Sequence, residues 1–140
     1  GVQWHGRFAM PFLRRDLPEL TIYQTEQECG DGKNDWRYAR HAWRIMRDFL
    51  NLGASAYQNW NQALEQGGVS HFVRPGARLV PTLSFSGFEN QVAARNPDGS
   101  LVVVMQNDMS EPVPVTILIG GEVVAPVLPP DSLNTFVFEV

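Results

Sequence analysis

Carboxylates gather in one short stretch of this chain. Residues 21–36, TIYQTEQECGDGKNDW, carry an apolar run up to Glu26 and Glu28, then add Cys29, Asp31 and Asp35 in a glycine-containing loop. A carboxylate delivered to the end of a strand suits a nucleophile or a base, because the loops after the strands of a parallel sheet converge on one crevice. The plainer reading is a charge that helps the turn or the start of the next helix, where the helix dipole favours a negative group. Glu28, Asp31 and Asp35 fit that plainer role better than Glu26, since they lie in or beyond the loop. A calcium site would need oxygens at alternating positions and a distal glutamate. Residues 31–35, DGKND, lack that pattern. Cys29 is the only cysteine, so an intrachain disulfide is excluded, and a cysteine-based zinc site is argued against. His5, His41 and His71 stand at no spacing that would activate a thiol, and Cys29 reads as a small buried or half-buried side chain. No metal and no cofactor is expected.

The aromatic residues divide in two. Trp36 and Trp43 share a helical stripe and read as packing residues. Trp4 and Trp60 stand near the ends of apparent strands, beside Gln3 and His5 and beside Asn59 and Asn61. An aromatic face flanked by amides suits a pyranose ring, which has an apolar face and a rim of hydroxyls. Core packing accounts for the same residues equally well.

These groups need elements to position them. With 140 residues, 44% hydrophobic and 11% aromatic, the chain can bury a real core. Its formal net charge is −4, and Arg37, Arg40, Arg44 and Arg47 recur at helical spacing as one solvated face, which argues against a nucleic-acid partner. The longest apolar runs, such as 101–105 and 113–119, fall far short of a membrane span.

The composition changes near residue 75. Before it, Arg7 to Arg15 has helical character limited by Pro11, Leu20 to Thr25 suits a buried strand, and Asn34 or Asp35 can cap a helix. That helix carries Trp36, Ala39, Trp43, Met46 and Leu50 on one stripe and ends at Gly53. The stripe is expected to pack onto the Leu20 to Thr25 strand. Ala54 to Trp60 reads as a further strand, which gives the strand–helix–strand order of parallel sheets. After the change come six candidate strands: 77–82, 91–96, 101–106, 113–119, 122–127 and 134–140. The turn signals Asn96-Pro-Asp-Gly99 and Gly120-Gly121 favour an antiparallel sandwich there.

The residues also resemble a known family. QTEQECGDGKNDWRYARHAWRIMRDFLNLGASAYQNWNQALEQGG is similar to the seventh-to-eighth-strand portion of glycoside hydrolase family 30, the glucosylceramidase-like enzymes. GVQWH at the start, SHFVRPGARL at 70–79, ARNPDGSLVVVMQN and LPPDSLNTFVF extend the likeness over nearly the whole chain. The resemblance implies an α/β plus all-β protein: the C-terminal part of a (β/α)8 TIM barrel over residues 1–70, then an antiparallel β-sandwich over 71–140. It implies a retaining hydrolase of β-linked glycans, with Glu26 of the Thr25-Glu26 pair as nucleophile and Glu28 as the fallback. Trp4, Trp60, Gln3, His5 and Asn59 then line the sugar site, and the resemblance is compatible with a secreted or extracytoplasmic location, which the residues themselves do not fix.

Two departures accompany it. The family's acid/base lies in an Asn-Glu-Pro tripeptide that does not occur here, so the missing N-terminal part of the barrel is an expected partner. The segment after Gly68 joins directly to Val69, where the family has a further stretch with the last barrel helix. The alternative functions are a non-catalytic truncated homologue and a carbohydrate-binding or bracing sandwich module.

Overall fold

The computed structural model describes residues 2–26, 36–58, 72–84 and 90–139, with the side chains of residues 2–5 and 26 left aside. It divides into two compact units, Gly1–Gln66 and Gly67–Val140.

The first unit alternates strands and helices. Strand β1 (Val2–Gln3) leads into a 3-10 helix (Trp4–Ala9) and α1 (Met10–Asp16), followed by β2 (Tyr23–Glu26), α2 (Trp36–Asn51) and β3 (Ala56–Tyr57). The three strands form one parallel sheet in the order β1-β2-β3. Pro11 sits in the first turn of α1, where its missing N–H costs nothing, so the proline starts the helix rather than breaking it. Gly53 ends α2 as expected. With φ of 92°, it lets its own N–H bond to Leu50 O at 2.9 Å and the Ala54 N–H bond to Phe49 O at 2.9 Å. That is the Schellman pattern, and Ala54 and Phe49 share a core as the pattern prefers.

The buried face of α2 differs from the expected one. Ile45 and Phe49 pack with Ile22, Met10 and Ala54, joined by Leu13, Leu52 and Tyr57. Of the expected stripe only Trp43 is buried, while Trp36, Ala39, Met46 and Leu50 are half-buried. Two apolar stripes overlap on this helix, and the one led by Ile45 and Phe49 matches the sheet. Side-chain ties support the packing: Arg14 donates to Leu20 O at 2.8 Å and to Gly53 O, and Asp48 pairs with Arg7 at 3.5 Å and Arg47 at 2.7 Å. Three parallel strands and their helices are what the described residues show; a closed (β/α)8 barrel is not among them.

The second unit is antiparallel. Strands β4 (Arg78–Val80), β5 (Gln91–Arg95), β6 (Leu101–Asn107) and β11 (Ser132–Phe138) form a sheet in the order β11-β6-β5-β4. Short strands β7 (Val113–Pro114) and β10 (Val127–Leu128) pair together, as do β8 (Ile117–Ile119) and β9 (Glu122–Val124). Ala93, Val103 and Met105 face Ile117 and Leu128, with Phe136 and Phe138 at the margin, which makes a two-layered β arrangement. All seven residues of β6 are buried, and its unbroken LVVVM run is the pattern of a strand covered on both faces.

Prolines divide two of the expected strands. The 113–119 and 122–127 runs each become two pieces, because a proline cannot donate to a ladder, and Val115 N–H bonds across to Pro126 O at 3.0 Å between them. The predicted turns hold: Gly99, Gly120 and Gly121 have φ of 92°, 59° and 90°. Two buried amides fix the loops. Asn96 accepts from Arg74 N–H and donates to Phe72 O and Ser100 Oγ, each at 3.0 Å. The Asn107 side-chain NH2 lies within 2.8 Å of Glu111 O, 3.3 Å of Leu128 O and 2.8 Å of Pro129 O, and its Oδ1 accepts from Met109 N–H.

Candidate active site

Parallel strands finish at the same edge of their sheet, so β1, β2 and β3 bring Gln3, Glu26 and Tyr57 to one end. Gln3 is the register partner of Glu26, and Gln24 pairs with Val2 on one side and Tyr57 on the other. Trp4 and His5 come directly after β1, in the first turn of the 3-10 helix. The backbone therefore places Gln3, Trp4, His5 and Glu26 at one sheet edge. Glu28, Asn59 and Trp60 lie outside the described residues.

The register contains an irregularity that the sequence did not announce. Val2 pairs with Gln24 and Gln3 with Glu26, so Thr25 is an extra residue on β2, a bulge just before Glu26. Tyr23 is 49% exposed and Gln24 is 0% exposed, as strict alternation requires. A bulge ends that alternation, and bulges are found often beside functional sites.

Gln24 is the residue that sequence reasoning missed. It lies fully buried in the central strand, and Gln58 N–H donates both to its backbone oxygen at 3.1 Å and to its Oε1 at 2.9 Å. Those bonds fix the chain just after β3 to the strand that carries Glu26. The Gln24 Nε2 has no partner among the described residues, and a buried unspent donor is costly. A glutamine directly after Ile22 and Tyr23, two positions before the candidate carboxylate, was the available signal.

The described residues hold no group of three or more histidine, cysteine or acidic side chains placed to bind a metal ion. No described helix is long and apolar enough to cross a membrane.

Comparison with known proteins bears on this arrangement. Residues 82–136 match the model of the glycosyl hydrolase family 30 beta sandwich domain. The likeness is to the C-terminal portion of family 30. SrfJ from Salmonella typhimurium superposes with a TM-score of 0.82 at 22% identity, covering 99% of this chain and 40% of that one. A GH30 endoxylanase from Clostridium papyrosolvens C71 gives a TM-score of 0.76 at 17% identity, over 99% of this chain and 48% of that one. The chain thus spans less than half the length of either of these proteins. No curated protein matches it.

Proposed function

We propose that this chain supplies the nucleophile edge of a retaining β-glycoside hydrolase, with Glu26 as the attacking carboxylate and a β-linked glycan as substrate. The observation that carries the reading is the shared end of β1, β2 and β3, with a bulge immediately before Glu26 and Gln3, Trp4 and His5 beside it. The family 30 likeness of the second unit supports it.

A retaining hydrolase needs an ionised carboxylate to attack the anomeric carbon and a protonated one about 5 Å away to release the leaving group, later acting as base for water. Glu26 takes the first role. The bond from the sugar to the leaving oxygen breaks as the Glu26 ester forms, and water then releases the sugar with retained configuration. The second carboxyl group belongs to a part of the barrel that this chain does not carry, since no Asn-Glu-Pro tripeptide occurs in it. The 140 residues alone are therefore inactive. Trp4 and Trp60 offer apolar faces to the ring, Gln3, His5 and Asn59 bind its hydroxyls, and Gln24 holds the segment before Asn59 in place.

A mechanism-based cyclitol epoxide or fluoroglycoside tests this in the chain joined to the remaining barrel strands. Peptide mapping should find the label on Glu26. A label on another residue, with Glu26→Gln retaining turnover, removes the assignment; a label on Glu28 moves it to the fallback.

A second reading rests on the family match falling on 82–136. There the sandwich is the working part, binding glycan or bracing a barrel, and the chain is a non-catalytic homologue. Binding of insoluble glycan that survives Glu26→Gln and Trp4→Ala together favours it.

A further inference from the structure

A groove of about 390 Å³ runs beside the end of β11 in the second unit. Val137, Phe138 and Glu139 line one wall, and Ile119, Glu122 and Val124 line the other. Val137 and Phe138 are the last two residues of β11 and Glu139 follows it, so the groove lies against the end of that strand. β11 pairs only with β6 and β9 only with β8 among the described residues, which leaves the outer edge of β11 without a strand partner where the groove meets its end. The opposite wall is one side of the hairpin: Ile119 pairs with Glu122, and Val124 with Ile117 of the core.

The groove therefore offers three things at once: a free strand edge, an apolar wall, and an exposed carboxylate on each side from Glu122 and Glu139. We propose that it receives an extended polypeptide strand, with apolar residues at alternate positions and a lysine or arginine among them, which adds to the edge of β11. Backbone hydrogen bonds hold such a strand, and the alternate side chains select it. The valine-type side chains meet Ile119 and Val124, and the cation lies between Glu122 and Glu139. A pyranose does not fit this description, because the groove presents Phe138 beside aliphatic side chains and no amide rim. The inference stands apart from the glycosidase reading and from Glu26.

The test titrates the full chain with the peptide acetyl-Thr-Val-Thr-Val-Thr-Lys-amide and monitors backbone amide signals by NMR. Val137 and Phe138 should shift and saturate. A peptide ending in glutamate instead of lysine should bind about tenfold more weakly, the size expected of two exposed charge contacts. A version N-methylated at alternate residues, with the same side chains but fewer donors, should not bind. Glu122→Lys combined with Glu139→Lys changes only exposed positions and should invert the preference between the two peptides. Equal binding of the lysine and glutamate peptides, shifts confined to β1 or β3, or no shifts at all would overturn the proposal. Concentration-dependent shifts at β11 without peptide would overturn it as well, by making a second copy of the chain the occupant.

Discussion

The two units hold their strands by different means. β2 and β3 share two register pairs, whereas β11 and β6 share seven in unbroken antiparallel register. In the first unit the sheet is fixed by the groups that lie on it: Ile45 and Phe49 of α2 over Ile22, Arg14 reaching Gly53 O, and Gln24 gripping Gln58. In the second the ladder itself and a mixed apolar layer do that work. Long-range packing thus sets the geometry where the candidate chemistry lies, and backbone pairing sets it where the family likeness is clearest.

That contrast predicts a large, local effect. Phe49→Ala removes a fully buried ring and should destabilise the first unit by about 4 kcal/mol, while Leu128→Ala should cost the second about 3 kcal/mol. Hydrogen exchange read at Gln24 and Val104 distinguishes them. Phe49→Ala should speed exchange at Gln24 alone, and Leu128→Ala at Val104 alone; equal acceleration at both sites by either variant would mean one cooperative block.

A smaller effect separates two glycines of equal φ. Gly53 and Gly99 both sit at 92°, so alanine at either incurs the left-handed cost of about 1 kcal/mol. A Cβ at Gly53 would also lie 2.7 Å from Arg14 Nε, whereas one at Gly99 meets nothing within 4 Å. Denaturant melts should show Gly53→Ala losing about 2 kcal/mol and Gly99→Ala about half that. Equal losses would mean that the Arg14 tie does not contribute.

The smallest effect is electrostatic. His41 is exposed, and partial desolvation first, then the positive charges of Arg44 and Arg7, hold its imidazole below its ordinary pKa. The folded chain therefore binds this proton less readily than the unfolded chain, so stability gained on the alkaline side fades as pH falls from about 7 toward about 5. His41→Gln should flatten that slope in urea midpoints measured across the window. An unchanged slope would assign the pH dependence to other groups.

Local signals were legible and non-local ones were not. Gly53, Gly99 and the Gly120-Gly121 turn could be read from sequence because a backbone with positive φ is a property of a few adjacent residues. The breaks at Pro114 and Pro126 were visible as residues but not as strand ends, since a run of apolar side chains hides a missing donor. On α2 two stripes satisfied helical spacing, and the choice of Ile45 and Phe49 over Trp36 and Met46 depends on which residues the sheet presents. The candidate site shows the same division. Glu26 as the last residue of a strand could be read from the acidic, glycine-containing sequence that follows it. The Thr25 bulge could not, because register belongs to two strands at once. Gln24 was hidden for a similar reason: its partner, Gln58, is 34 residues away.

Asn107 carries a consequence for how this protein ages. Its NH2 group faces three carbonyl oxygens that draw together the ends of two separate loops. Deamidation would exchange that nitrogen for an oxygen of almost the same size and leave the outline of the side chain intact. The contacts with those three carbonyl oxygens would then become repulsions, while the bond from Met109 N–H would remain, so a chemical lesion worth a single mass unit would loosen the 129–131 loop from the 108–111 loop.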